Sequence, residues 1–354
     1  MPIDTVDDLR EHLQLAIQVE VATIPPYLYA LYSIKDQATT SAKYLRSVAT
    51  EEMLHATLMA NILLAVGGEP RFYSPDVLPA HPSPWPNKIP ELVLNLESCT
   101  QNVVETTFLG IEAPGQPEAP AQADRYESQG QFYHALEQAI LRLAGDVDLF
   151  ANPQTDRQLH DPSGYVTVKY DDEKSGGLLV VDSVETALAA TEVAIHQGEG
   201  VQEARYADPD HRELTHYAKF LSLADGTVDI GSVVPLVKNP SISAMPSDVA
   251  AIAEFSDAIY SYLFVVLDRI LAPDRTDRHH LVGILYGVMV GLLAPVSRYL
   301  TTKPAGDGEF WGPPFGYYEF STPDDAEDEL RRLGAALTAE HTAIGPALRH
   351  LSRL

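Results

Sequence analysis

EEMLHATLMA (residues 51–60) carries Glu52 and His55 three positions apart, and HRELTHYAKF (residues 211–220) carries Glu213 and His216 at the same spacing. On a helix, residues three apart project from one face, so each pair can grip one metal ion. Two such helices, each partnered by a helix bearing one further Glu, build a carboxylate-bridged two-metal site inside a four-helix bundle. Glu20 and Glu199 are the partner carboxylates. The predicted metal-ligating set is therefore Glu20, Glu52, His55, Glu199, Glu213 and His216, and the predicted fold class is all-α.

The neighbouring sequence supports this placement. Leu9, Leu13, Ala16, Ile17, Glu20 and Ile24 follow a 3.6-residue rhythm, predicting a helix over about 5–33 with Glu20 on its apolar face and a kink at Pro25-Pro26. A second helix is predicted over about 41–66, ending at Gly67-Gly68. Residues equidistant from an antiparallel turn lie side by side. The midpoint of Glu20 and Glu52 is position 36, inside the predicted turn, and that of Glu199 and Glu213 is position 206, among turn formers. A third helix is predicted from near Ser183 to His196-Gln-Gly-Glu-Gly200, and a fourth from about Asp210, carrying Glu213 and His216 to Leu223. Residues 69–98 are proline-rich and read as a cover loop, with a short strand near 92–96. Helical character returns over about 100–109 and again over 128–143; Tyr165–Tyr170 alternates like a strand. Three more helices are predicted near 247–271, 277–301 and 323–353, with the aromatic stretch 308–320 packing over the bundle. The expected organisation is a metal-binding bundle over 1–225, with an insertion at about 69–182, and additional helices over 226–354 packed on it.

Composition excludes several classes. Asp and Glu number 50 against 24 Lys and Arg, a net charge of -26. Such a surface repels phosphate backbones and anionic lipid, so neither nucleic acid nor membrane is an expected partner. The one cysteine, Cys99, permits neither an intramolecular disulfide nor a thiolate zinc site. Together with the absence of a basic, then apolar, start, this makes the cytoplasm the expected location. The longest apolar run, 281–296, reads as a buried helix. No glycine-rich phosphate loop is evident.

Four carboxylates balance two divalent cations about 3.5 to 4 Å apart, and the mixed nitrogen and carboxylate donors favour iron or manganese. Two iron ions, or manganese in their place, with dioxygen as co-substrate, are the expected cofactors. Tyr27 and Tyr217 are the candidate catalytic tyrosines, with Tyr29 and Thr23 also beside the ligands. Some assignments stay open. Glu192 lies on nearly the same face as Glu199, Glu51 is expected to face solvent or support the ligands, and Glu112 is expected in a turn with an approach to the site as its alternative. His196 and His211 are expected to be exposed.

Several motifs resemble one family. Glu20-x-x-Thr23-Ile-Pro-Pro-Tyr-Leu-Tyr-Ala-Leu-Tyr-Ser-Ile34, Glu51-Glu-Met-Leu-His55, Phe108-Leu-Gly-Ile-Glu-Ala-Pro114, Gln197-Gly-Glu-Gly200, Glu213-Leu-Thr-His-Tyr217 and Gly312-Pro-Pro-Phe315 are similar to the ferritin-like domain of the iminophenyl-pyruvate dimer synthase family. The similarity spans about residues 3–320. It departs at Gly130-Gln-Phe-Tyr133, where the family has Glu in place of Gln131. The family takes its name from a violacein-pathway enzyme that joins two imines of aromatic 2-keto acids; this chain resembles one domain of it. The resemblance implies a ferritin-like bundle with a carboxylate-rich metal site. The expected activity is a di-iron oxidoreductase or oxygenase of secondary metabolism acting on a small organic substrate, aromatic ones included, with homodimer formation open to it. Imine coupling and non-catalytic metal binding are the alternatives.

Overall fold

A computed structural model describes residues 3–115, 125–160, 177–198, 214–337 and 341–353. Two long antiparallel helices form its centre: α1 (Val6–Ser33) and α2 (Thr40–Ala65). Thr5 opens α1 with a capping box to Asp8, and Thr39 caps α2 by accepting from the Ala42 N–H. Pro25 and Pro26 lie within α1, which runs on through them. Both helices are buried on almost every side after their first turns, because further elements cover them all round.

The covering elements follow in chain order. Residues 69–98 form no helix. They carry a two-residue strand pair, β1 (Ser83–Pro84) and β2 (Val93–Leu94), antiparallel. The helix α3 spans 101–112 and contains a π turn at Val104–Phe108 before its last segment, Leu109–Glu112. Ala113 turns extended because Pro114 follows it, which ends the helix at Glu112. Next come α4 (Gln129–Asp146), α5 (Val184–Gln197), capped by Ser183, and α6 (His216–Ala224). α4 packs on α1 and α5 on α2, while α6 packs on both α2 and α3.

A second layer consists of α7 (Ser247–Leu271), α8 (278–300, with a π turn at Met289–Leu293) and α9 (Ala326–Leu337). The hairpin β3 (Pro304–Gly306) and β4 (Glu309–Phe310) leads into the aromatic stretch. That stretch ties the layers together. Phe315 stacks on Tyr32 of α1 and meets Tyr260 of α7 edge-on, and Tyr317 stacks on Tyr73 of the proline-rich cover.

Two expectations need correction. The single helix over 323–353 is instead α9 and, after His341, whose backbone is not helical (φ -124, ψ 64), short helical turns from Thr342 on, one of them opening at Gly345-Pro346. The run 281–296 is only partly buried: Tyr286 is 48% and Val290 51% exposed. Both α7 and α8 are long and apolar enough to cross a membrane, and the apolar window of α7 is 83% buried within the fold. The predicted strand at 165–170 lies outside the described residues.

Candidate metal centre

Four helices converge on one buried cluster. Glu20 comes from α1, Glu52 and His55 from α2, Glu112 from the end of α3 and His216 from the first turn of α6; all are 2% exposed or less. They form two triads, Glu20–Glu52–His55 and Glu52–Glu112–His216, whose donor atoms lie within 4.8 Å of one another. Glu52 belongs to both. The Glu20 and Glu52 side chains meet across the α1–α2 hairpin, as equidistance from the turn requires.

The two histidines are held alike. His55 sets Nδ1 3.4 Å from Glu20 Oε2 and 3.6 Å from Glu52 Oε2, while its Nε2 lies 2.9 Å from Gln197 Oε1. His216 sets Nδ1 3.1 Å from Glu52 Oε1 and 3.5 Å from Glu112 Oε2, with Nε2 2.7 Å from Glu51 Oε2. In each ring an outer acceptor takes the Nε2 proton and turns Nδ1 inward, which fixes both the tautomer and the ring direction. The rings stack at 5.5 Å.

Outer contacts hold the carboxylates. The Tyr27 hydroxyl donates to Glu112 Oε1 at 2.5 Å, and the Tyr133 hydroxyl donates to Glu20 Oε1. Glu51 is buried at 5% exposure and lies between His216 and Lys219, itself 2% exposed, whose Nζ reaches Glu51 Oε2 at 3.0 Å and Ser47 Oγ at 2.8 Å. Glu51 therefore supports a ligand and does not face solvent.

Burial dominates the ionisation of this cluster. Burial and the adjacent Glu52 raise Glu20 well above the usual carboxylate range. Burial also pushes on Glu52, but the neighbouring Glu20, His216 and His55 outweigh it and hold Glu52 low. Burial raises Glu112 against the pull of His216. Burial opposes charge on His55, yet Glu20 and Glu52 carry it up to about 10; Glu112 likewise takes His216 well above its ordinary value. Cationic charge is thus what the carboxylates demand.

The residues fit a metal by a second criterion. Glu20 Oε2, both Glu52 oxygens, Glu112 Oε2 and His216 Nδ1 are buried with no hydrogen-bond partner among the described residues. Buried polar atoms are normally satisfied, and five orphans aimed at one another mark a place for cations.

The sequence-predicted residues divide as follows. Glu20, Glu52, His55 and His216 come together. Glu199 and Glu213 lie outside the described residues. The expected continuous helix through Glu213 and His216 is not formed: Thr215 is extended (ψ 163) and caps α6, which begins at His216. The face argument for that pair therefore fails, because it needs helical backbone between them. Glu192 is exposed. Tyr27 reaches the cluster through Glu112. No hydrogen bond among the described residues joins the Tyr217 hydroxyl to it; its backbone N–H donates to Gly198 O at 3.3 Å. Tyr29 bonds Val237 O at 2.5 Å, and Thr23 bonds Glu20 O at 2.7 Å. Sequence reasoning placed Glu112 in a turn and passed over Tyr133. The available signal was a lone Glu closing the apolar face Val103, Val104, Phe108 and Ile111.

A family model described as ferritin-like matches residues 13–225. Dichlorochromopyrrolate synthase from Lentzea aerocolonigenes is 25% identical over 378 residues, covering 89% of this chain and 36% of that protein. The 2-imino-3-(indol-3-yl)propanoate dimerase of Chromobacterium violaceum is 24% identical over 369 residues, 88% of this chain and 34% of that protein. The chain thus spans about a third of the length of these curated relatives. A ferritin-like protein from Caulobacter vibrioides, solved by crystallography, aligns with TM-score 0.60 and 25% identity over 83% of this chain and 96% of its own.

Proposed function

The chain belongs to the ferritin-like family, and from that premise we propose that it is a non-haem dinuclear-metal oxidoreductase acting on a small aromatic substrate of secondary metabolism. Glu20, Glu52 and His55 would hold one ion, and Glu52, Glu112 and His216 the other, with iron preferred over manganese and dioxygen as co-substrate. The observation that carries this reading is the sharing of Glu52 between two buried triads whose inward atoms lack partners. Bound iron would supply electron transfer and Lewis acidity beside the substrate.

The chain's own residues then have distinct tasks. Gln197 and Glu51 keep the Nδ1 lone pairs of His55 and His216 turned inward. Tyr133 and Tyr27 hold the outer oxygens of Glu20 and Glu112 by donating to them, and burial with the neighbouring carboxylates keeps the Tyr27 phenol protonated. The names of the two relatives support an aromatic substrate class. The dimerase also supports a second reading, the joining of two aromatic imino acids without dioxygen consumption.

Metal analysis tests the proposal. Protein loaded anaerobically with iron should hold about two ions per chain, and a Glu52→Ala/His216→Ala variant should hold few. Oxygen uptake with aromatic amino and imino acids then separates the two readings. A parent protein that binds no metal sinks both.

A further inference from the structure

A groove of about 820 Å³ opens between the end of α1, the second half of α8 and the C-terminal turns. Lys35, Arg298 and His350 line it, with the rings of Tyr32 and Tyr299, and among the described residues no Asp or Glu does. That is unusual in a chain with 50 acidic residues against 24 basic ones. Arg10, Arg71, Arg275 and Arg331 each stand beside a carboxylate. Lys35 and Arg298 are exposed in the groove and neither has such a partner among the described residues.

Two further features point inward. Tyr32 is 6% exposed, its ring fixed against Phe315, and its hydroxyl has no hydrogen-bond partner among the described residues. The charge of Arg298 acts on that phenol. The His350 imidazole lies directly over Gly291, where an added Cβ would stand 2.6 Å from the ring. Glycine there lets the ring reach the groove wall. The remaining wall is largely apolar, including Ile34, Val290 and Ile344.

We propose that this groove binds a small organic acid with an apolar, aromatic body. Arg298 and Lys35 take the carboxylate, the Tyr32 hydroxyl donates to it, and the apolar wall covers the ring. An arginine fork matches a carboxylate in shape as well as charge, and neither cation has a carboxylate partner among the described residues. The volume suits a ligand of this size. Tyr32 lies twelve residues beyond Glu20 on α1, about 18 Å along the axis at 1.5 Å per residue. The acid bound here does not touch the metal cluster, so this is an effector site and independent of the metal reading.

Calorimetric titration of the full chain with indole-3-acetate, indole-3-acetamide and inorganic phosphate tests it. One molecule of indole-3-acetate should bind per chain, with the amide and phosphate each at least tenfold weaker. Arg298→Gln/Lys35→Gln should weaken the acid at least tenfold. Val290→Asp, an exposed change that sets a carboxylate into the groove, should do the same, whereas Glu112→Gln at the metal cluster should leave binding intact. Equal binding of acid and amide, equal binding of phosphate, no binding at all, or acid binding indifferent to the groove variants overturns the proposal.

Discussion

Lys219 offers the sharpest test of how the metal centre is supported. Its ammonium is 2% exposed and lies 3.0 Å from Glu51 Oε2, the atom that also meets His216 Nε2. At 3.0 Å and an effective dielectric of about 20, the gross attraction is roughly 5 kcal/mol. Desolvation of both groups offsets much of it, so the intact pair contributes little net stability. Removing one partner is a different matter. Lys219→Met keeps the chain length but takes the ammonium away from the Glu51 carboxylate, leaving it to Ser47 and His216, which should cost about 3–5 kcal/mol. Glu51 then takes up a proton or moves, His216 loses a firm acceptor, and metal affinity should fall about 10–100-fold. The double variant Lys219→Met/Glu51→Gln removes that charge and should regain a large part of the stability but not the metal affinity. Urea unfolding of the four proteins of this cycle, alongside competitive metal titration, reads both quantities. A Lys219→Met variant that loses under 1 kcal/mol, or a double variant as unstable as the sum of the singles, would refute the reasoning.

Glu112→Gln keeps the side-chain shape but weakens one ligand, so metal analysis should show at least one ion fewer per chain or a tenfold weaker second ion; unchanged stoichiometry and affinity would remove Glu112 from the centre. Gly312→Ala places a methyl 2.3 Å from the Tyr29 ring, which is fully buried and tied to Val237 O; overpacking should cost about 1–3 kcal/mol in thermal or urea unfolding. Asp268 accepts the Phe72 and Tyr73 N–H groups at the start of the proline-rich cover, and burial pushes it up to about 6. A raised carboxyl binds its proton more tightly in the folded state. Its contribution is therefore full below about pH 4 and lost as pH rises through 6. The stability advantage of the parent over Asp268→Asn should shrink between pH 4 and 7, and an advantage that grows over that range would count against the assignment.

How the site could be read from sequence depended on the kind of contact. Glu20, Glu52 and His55 were legible because they sit on two long helices joined by a short turn, where periodicity and equidistance fix which side chains meet. The supporting contacts were not. Glu112, Tyr133, Glu51 with Lys219, and Gln197 belong to elements whose approach depends on packing. For Glu51 the sequence left open whether it faces solvent or supports the ligands, and α6 decides it by bringing Lys219 and His216 against it.

The sequence by itself determined the all-α class, the α1–α2 hairpin, the proline-rich cover and the family, since these follow from local periodicity, capping and breaker residues. It also marked His216 as a candidate, though for a reason that does not hold: the helix starts at that residue and does not pass through Glu213. Only the tertiary structure decided that the end of α3 delivers Glu112 to Glu52. A π turn and the break at Ala113-Pro114 set where that carboxylate points, and neither leaves a trace in the spacing of charged residues. Contacts between elements distant in sequence depend on how buried faces pack, and that information is spread over the whole core.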